Sequence, residues 1–510
     1  MSESRVHKSL LNAKVNLVFY FLSLFFAFFS RKIFLDCLGA EFIGLTGTLG
    51  NILGYLNLTE LGISASIGYF LFKPLQSQNR QEIQEILSLL GYLYNWIGCA
   101  IFVGAFVISL FFPVIFANAT LGLGIIYFSF YSLLGSSLIG YFINYRQILL
   151  TADQKNYLVA IYLQSANLLK IALQIFLAYR YKNLYVWVGI ELLFGIIGCI
   201  ILNWKIDKEY PWLKVDKKQG KQLLKRYPNI IIKTKQVFIH KIKDFVLAKS
   251  DELFIFLFVS LKMVAFYGNY MIIVSKLISL FSAITNSIGA SIGNLVAEGN
   301  KQQMLKVFWE LTTIQHTIAA ILSFSLYNFL EPFVTHWLGT EYIMDHRILI
   351  LLIVYIYITN SRGAVDGFNY AHGLYADVWA AWAELIINVS ITIIYGLKWG
   401  IIGILWGKIA SLVPIVVIWK PYYLFSSGFK ESVKIYWKGV IRNYAISSFA
   451  FVSVTYFLHF IPINPYQSIW RWIEYAIIGI FLFLIVDLTI TMLFAKGAKD
   501  TIVRLNGYKK

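Results

Sequence analysis

Residues Tyr475–Ala495 read YAIIGIFLFLIVDLTITMLFA, and Asp487 is the one charged side chain in the run. About 20 apolar residues is the length an α-helix needs to cross the hydrocarbon core of a bilayer. A membrane-spanning strand would instead alternate polar and apolar residues over about 10 positions, and this run does not alternate. Val15–Ser30, Ile101–Phe116 and Ile125–Phe142 have the same all-round apolar character. These stretches predict helices, with lipid as their solvent.

The rest of the chain agrees. Of 510 residues, 58% are hydrophobic and only 14% charged, against about 25% charged in an ordinary soluble domain. A single soluble core stops growing at about 250–300 residues, so a chain this apolar needs the bilayer. The expected fold class is an all-α polytopic membrane protein. Fourteen spans are expected, at 12–30, 43–71, 86–112, 122–145, 157–179, 184–204, 230–259, 263–294, 305–330, 346–366, 374–395, 400–419, 440–461 and 472–495. The polar opening MSESRVHKSLLNAK leads into the first run with no small-residue cleavage site after it. That reads as a retained helix rather than a signal peptide.

Charge placement orients the chain. With both termini cytoplasmic, 33 of the 44 Lys and Arg fall on the inner side and seven on the outer; Lys170, Lys262, Lys276 and Lys408 lie within spans. That asymmetry is the positive-inside rule. It implies a multi-pass inner-membrane protein whose basic face meets anionic lipid. The net charge of +18 is thereby accounted for, and no nucleic-acid partner is implied. Half of it lies in Lys205–Lys249, between the sixth and seventh spans. This suggests a six-helix lobe at 1–204, a basic cytoplasmic linker at 205–229, a second six-helix lobe at 230–419, and an additional helix pair with a basic tail at 420–510. An internal echo supports two lobes: Ala65-Ser66-Ile67-Gly68 recurs as Ala290-Ser291-Ile292-Gly293, and Phe42-Ile43-Gly44 faces Phe266-Tyr267-Gly268. Parallel duplication of this kind is a common transporter architecture.

Several chemistries find no residues. Cys37, Cys99 and Cys199 form no paired spacing, and the seven histidines show no HExxH pattern, so neither a disulfide framework nor a metal site is expected. A Walker loop, a nucleotide fingerprint and GxSxG are also missing from the sequence, which argues against an ATP-driven pump.

Charged residues within spans are expensive and usually face water or a partner. Lys233, His240, Asp244 and Asp251 follow one another at spacings of 7, 4 and 7 and so share one face of a helix. The stripe lines a cavity, or residues 220–250 form an amphipathic helix on the membrane surface. Lys170 and Lys276 either neutralise an anionic substrate group or pair with Glu191, Glu384 or Asp487. Arg31 and Lys32 sit at the outer end of the first span, against the charge rule; they meet a phosphate there or pair with Asp36 or Glu41. Arg362 and Asp366, four apart, form an i,i+4 pair or a gate. Asp251 and Glu384 are the candidates for taking up H⁺ or Na⁺. Tyr127, Tyr131, Tyr141 and Tyr145 are positioned to stack on sugars or to belong to interfacial belts.

The stretch from Arg31 through LGAEFIGLTGTLGNILGYLNLTELGISASIGYFL to Lys73, with SDELFIFLFVSLKMVAFYGNYMIIVSKLI further on, resembles bacterial polysaccharide-export and O-antigen flippases of the multidrug/oligosaccharidyl-lipid/polysaccharide exporter superfamily. The resemblance rests on Leu38-Gly39-Ala40-Glu41, Gly44-Leu45, Glu60-Leu61-Gly62, Asp251 and Tyr267-Gly268-Asn269-Tyr270. It implies two lobes that alternate access to a central cationic cavity, and no enzymatic activity. It implies an undecaprenyl-diphosphate-linked oligosaccharide as cargo for surface polysaccharide synthesis, with Arg31, Lys170, Lys233, His240 and Lys276 suited to the diphosphate. Coupling to an H⁺ or Na⁺ gradient and association with glycan polymerase and glycosyltransferases are further implications. A drug or metabolite antiporter of the same superfamily is the competing transporter. A membrane glycan polymerase or glycosyltransferase is the competing enzyme, although the longest outer segment, Glu331–Asp345, is too short for a catalytic domain.

Overall fold

The computed structural model describes residues 5–57, 63–286, 298–374, 377–498 and 500, with single positions 292, 295 and 296. No strand occurs among the described residues. Packing divides the chain into two compact units, Met1–Gly268 and Asn269–Lys510.

The first unit contains α1 (Arg5–Leu38), α2 (Ala40–Leu56), α3 (Ile63–Gln76), α4 (Arg80–Leu110), α5 (Leu123–Phe142), α6 (Asn156–Tyr181), α7 (Leu184–Glu209), α8 (Gly220–Arg226), α9 (Pro228–Phe258) and the start of α10 (Leu261–Asn286). The second holds the rest of α10, then α11 (Lys301–Trp337), α12 (His346–Ala371), α13 (Val378–Trp399), α14 (Ile401–Phe429), α15 (Val433–Leu458) and α16 (Ile469–Phe494). Eleven helices among the described residues are long and apolar enough to cross a membrane. The other three expected spans fall on α2 with α3, on α9 and on α15. There the apolar signal is diluted: α2 has only 17 residues, and α9 carries the charged stripe. The expected span 43–71 is two helices, not one. Of the internal echo, Ala290, Ser291 and Gly293 lie outside the described residues, as does the Glu60-Leu61-Gly62 element.

Helix starts follow capping chemistry. Asn79, Asn183, Asn300 and Ser468 each accept a hydrogen bond from the first turn of the helix that follows, satisfying amides that have no intrahelical acceptor. Within α14, Pro414 and Pro421 lack the amide a regular helix needs, and the turns around them widen to π geometry.

In the first unit, α9 packs on α2 and α3, and α5 lies between α4 and α7. The basic segment after α7 is not a free tether. It lies along α4: Gln84 donates to the Trp212 carbonyl (2.6 Å), Ser88 accepts from the Asp216 amide (2.9 Å), and Arg226 and Tyr227 donate to Glu85 (2.8 and 2.7 Å). Lys217 donates to Asn95 and to the Phe142 carbonyl, and stands 4.7 Å from the centre of the Tyr145 ring. Burial, with Arg146 nearby, pushes its ammonium pKa below the ordinary value. Burial and the Glu85 carboxylate push the Tyr227 phenol up to about 12.

In the second unit, α13 and α14 form a close helix pair. The reason is Gly403-x-x-x-Gly407: a Cβ at Gly403 would stand 2.1 Å from the Tyr395 carbonyl oxygen, and one at Gly407 2.2 Å from Thr392 Oγ1. Small residues at this spacing let helix backbones approach in lipid, where apolar burial alone gives no preference for a neighbour. Gly400, at φ 56°, makes the turn between them. The buried Phe308 ring of α11 meets Phe368 of α12 and Phe425 and Phe429 of α14 edge-on at 5.4–5.6 Å, a favoured aromatic geometry.

Candidate functional site

Three helices of the first unit converge on a polar node. On α2, Gly44, Gly47 and Asn51 share one face at spacings of 3 and 4. Gly44 lies directly against the Leu261 carbonyl at the start of α10. Gly47 leaves room for the Glu252 carboxylate, and Asn51 donates to its Oε2 at 2.5 Å. The neighbouring Asp251 is 5% exposed and accepts from the Tyr267 hydroxyl of α10 at 2.8 Å. Adjacent positions on a helix point about 100° apart. The acid pair therefore reaches two helices at once, Glu252 toward α2 and Asp251 toward α10. Arg31 of α1 completes the surround. Its Nη2 donates to the Ala265 carbonyl at 3.0 Å and lies 3.1 Å from where a Cβ would stand on Gly268.

This arrangement brings two of the expected residues, Arg31 and Asp251, onto the same short stretch of α10. It adds Glu252, Asn51 and Tyr267, which the sequence reading did not single out as site residues. Glu41, considered as a partner for Arg31 or Lys32, accepts from the Thr120 amide at 2.7 Å and from its hydroxyl. The side chains of Lys233, His240 and Asp244 lie outside the described residues; their backbone belongs to α9.

Lys170 is tied down. Its Nζ donates to Glu191 of α7 at 2.6 Å, and Gln174 supports the same carboxylate at 3.2 Å. The pairing reading therefore has a partner in place. Removing one member of a buried pair costs about 3–5 kcal/mol, and less here because 15% and 21% of the two side chains stay exposed. We expect Lys170→Met alone to lower thermal stability, and Lys170→Met with Glu191→Leu to restore most of it. A double-mutant cycle in detergent checks this; additive losses would contradict it.

In the second unit, Lys276 is half-buried on α10. Arg362 and Asp366 form the expected i,i+4 pair at 3.0 Å. Glu384, Asn388 and Thr392 are buried on one face of α13, the face that Gly407 of α14 meets. Lys408 of α14 is buried with its Nζ 4.5 Å from the Tyr355 ring centre.

Of the four tyrosines, Tyr127 donates to the Ser109 carbonyl and Tyr131 bonds its hydroxyl. Tyr141 and Tyr145 line a cavity of about 650 Å³ within the first unit, with Asn57, Ser137, Gln147, Thr151 and Asn156 around them. No group of three or more metal-ligating side chains occurs among the described residues.

No protein-family model matches the sequence, and no curated protein matches it. Among solved structures, the chain is similar to the lipid II flippase MurJ in an inward closed conformation. The identity is 14% and the TM-score 0.63, over 94% of this chain and 99% of that one. It is also similar to an inward-facing multidrug resistance MATE family transporter of the MOP superfamily, at 14% identity and a TM-score of 0.62, over 81% of this chain and 95% of that one. The chain therefore has the polytopic helical fold shared by that flippase and that transporter.

Proposed function

We propose that this protein is a flippase that carries an undecaprenyl-diphosphate-linked oligosaccharide from the cytoplasmic to the outer leaflet of a bacterial inner membrane, by alternating access, for surface polysaccharide or O-antigen synthesis. The observation that carries the reading is the near-complete fold match to a flippase of a lipid-linked substrate. Two features of this chain support it. Arg31 reaches the node around Asp251 and brings there the positive charge that suits a diphosphate. The described lining of the Tyr141–Tyr145 cavity includes aromatic rings, amides and hydroxyls, groups suited to a neutral sugar.

In this reading Asp251 and Glu384 are the sites at which H⁺ or Na⁺ couples to transport. Arg362 and Asp366 act as a gate, and both termini are cytoplasmic. The protein does no bond chemistry; glycan polymerase and glycosyltransferases act before and after it. The second structural likeness favours an alternative, a drug or metabolite antiporter.

Deleting the gene separates the readings. We expect completed lipid-linked oligosaccharide to accumulate on the cytoplasmic leaflet while the surface polymer disappears. Normal surface glycan with altered sensitivity to cationic drugs would favour the antiporter. Unpolymerised units on the outer leaflet would point to an enzyme.

A further inference from the structure

Asp487 is the one charge in the Tyr475–Ala495 run. It lies on α16 seven residues before the helix ends at Phe494, about 10 Å inside at 1.5 Å per residue. The side chain is buried, 1% exposed, and among the described residues neither carboxyl oxygen has a partner within hydrogen-bonding geometry. The Thr317 hydroxyl of α11 faces the carboxyl group.

Among the described residues the surroundings supply no cation. Helix α16 packs against α11 and α15. Among the described residues, Tyr357 of α12 is the titratable group that interacts with Asp487. His316 Nδ1 is 3.0 Å from the Tyr357 hydroxyl, and the Tyr444 ring meets the His316 ring edge-on at 5.1 Å. The nearby basic groups are engaged elsewhere. Arg442 of α15 donates to the Phe494 carbonyl at the helix end, and Lys496 stacks 4.6 Å from the Trp309 ring centre. A carboxylate ion in such a place has no counter-charge among the described residues, which desolvation penalises heavily. A protonated carboxyl is neutral and tolerates the site.

We propose that Asp487 is a proton-binding site, holding its proton in the conformation described here. Release sends that proton to water and leaves a carboxylate. The carboxylate then needs the Tyr357 and Thr317 hydroxyls as partners. Proton occupancy is thus tied to the packing of α16 on α11. Coupling of this proton to transport rests on the flippase reading; proton binding itself does not.

The first test is infrared spectroscopy of the purified full-length protein at neutral pH. Asn is nearly isosteric with the protonated acid, so Asp487→Asn is expected to fold and to lose a carbonyl band of protonated carboxyl type that the wild type shows. Identical wild-type and Asn spectra in that region would overturn the proposal. Should the Asn variant not be recovered, Asp487→Glu is expected to shift the band, and an unmoved band would overturn it equally. The coupling clause has its own readout. Asp487→Asn is expected to make substrate flipping insensitive to an imposed pH gradient, and retention of the wild-type response would refute coupling while leaving the infrared result intact.

Discussion

Gly44→Ala is expected to cost the protein its stable fold, although it adds a single methyl group. The new Cβ would stand 1.8 Å from the Leu261 carbonyl oxygen and 2.7 Å from its carbon. These are backbone atoms in the first turn of α10, so no side-chain rotation relieves the clash, and α2 and α10 must separate. Overpacking a filled interior typically costs about 1–3 kcal/mol. A clash with backbone at this distance belongs at or above the upper end. Separation also pulls apart the contacts that Asn51, Glu252 and Tyr267 make around it. Gly50→Ala is the control. Nothing lies within 4 Å of a Cβ there, and replacing a helix-interior glycine gains up to about 1 kcal/mol. Thermal denaturation of both variants in the same detergent checks the contrast. Equal melting temperatures would refute the close α2–α10 contact.

Asp251 carries the second large effect. Asp251→Ala removes the acceptor of the Tyr267 hydroxyl in a buried site, a change worth about 1–3 kcal/mol, and is expected to lower the melting temperature. Asp251→Asn keeps an acceptor oxygen and nearly the same shape but loses the charge. We expect the Asn variant to reach the membrane at normal abundance and to lose flipping by at least about tenfold, equivalent to ~1.4 kcal/mol. If Asp251→Asn flips at the wild-type rate, Asp251 is a structural residue and its coupling role falls.

What the sequence conveyed, and what it withheld, follows from range. The apolar runs identified the helices because crossing a bilayer is a local requirement on about 20 residues. The Lys170–Glu191 pair was visible as an alternative because the two residues lie on consecutive spans, 21 positions apart. The Asn51–Glu252 contact joins residues 201 apart, and no local pattern announces it. The packing of the basic linker was hidden for a related reason. Its charge is legible locally, but Ser88, Asn95 and Glu85 are spaced along α4 to receive it, and that match exists only once both segments are folded. Asp487 stood out in the sequence as a possible partner for a lysine. That no lysine or arginine among the described residues meets it is a fact of packing.

The most direct measurement is translocation in reconstituted vesicles. Purified protein is placed in liposomes loaded with the lipid-linked glycan that accumulates in the deletion strain, and exposure of the headgroup to an added glycosidase is followed over time. We predict headgroup crossing much faster than in protein-free vesicles, slowed in vesicles carrying Asp251→Asn. Crossing no faster than in empty vesicles, with the same preparation exchanging a cationic drug for protons, would contradict the flippase account and establish the antiporter in its place.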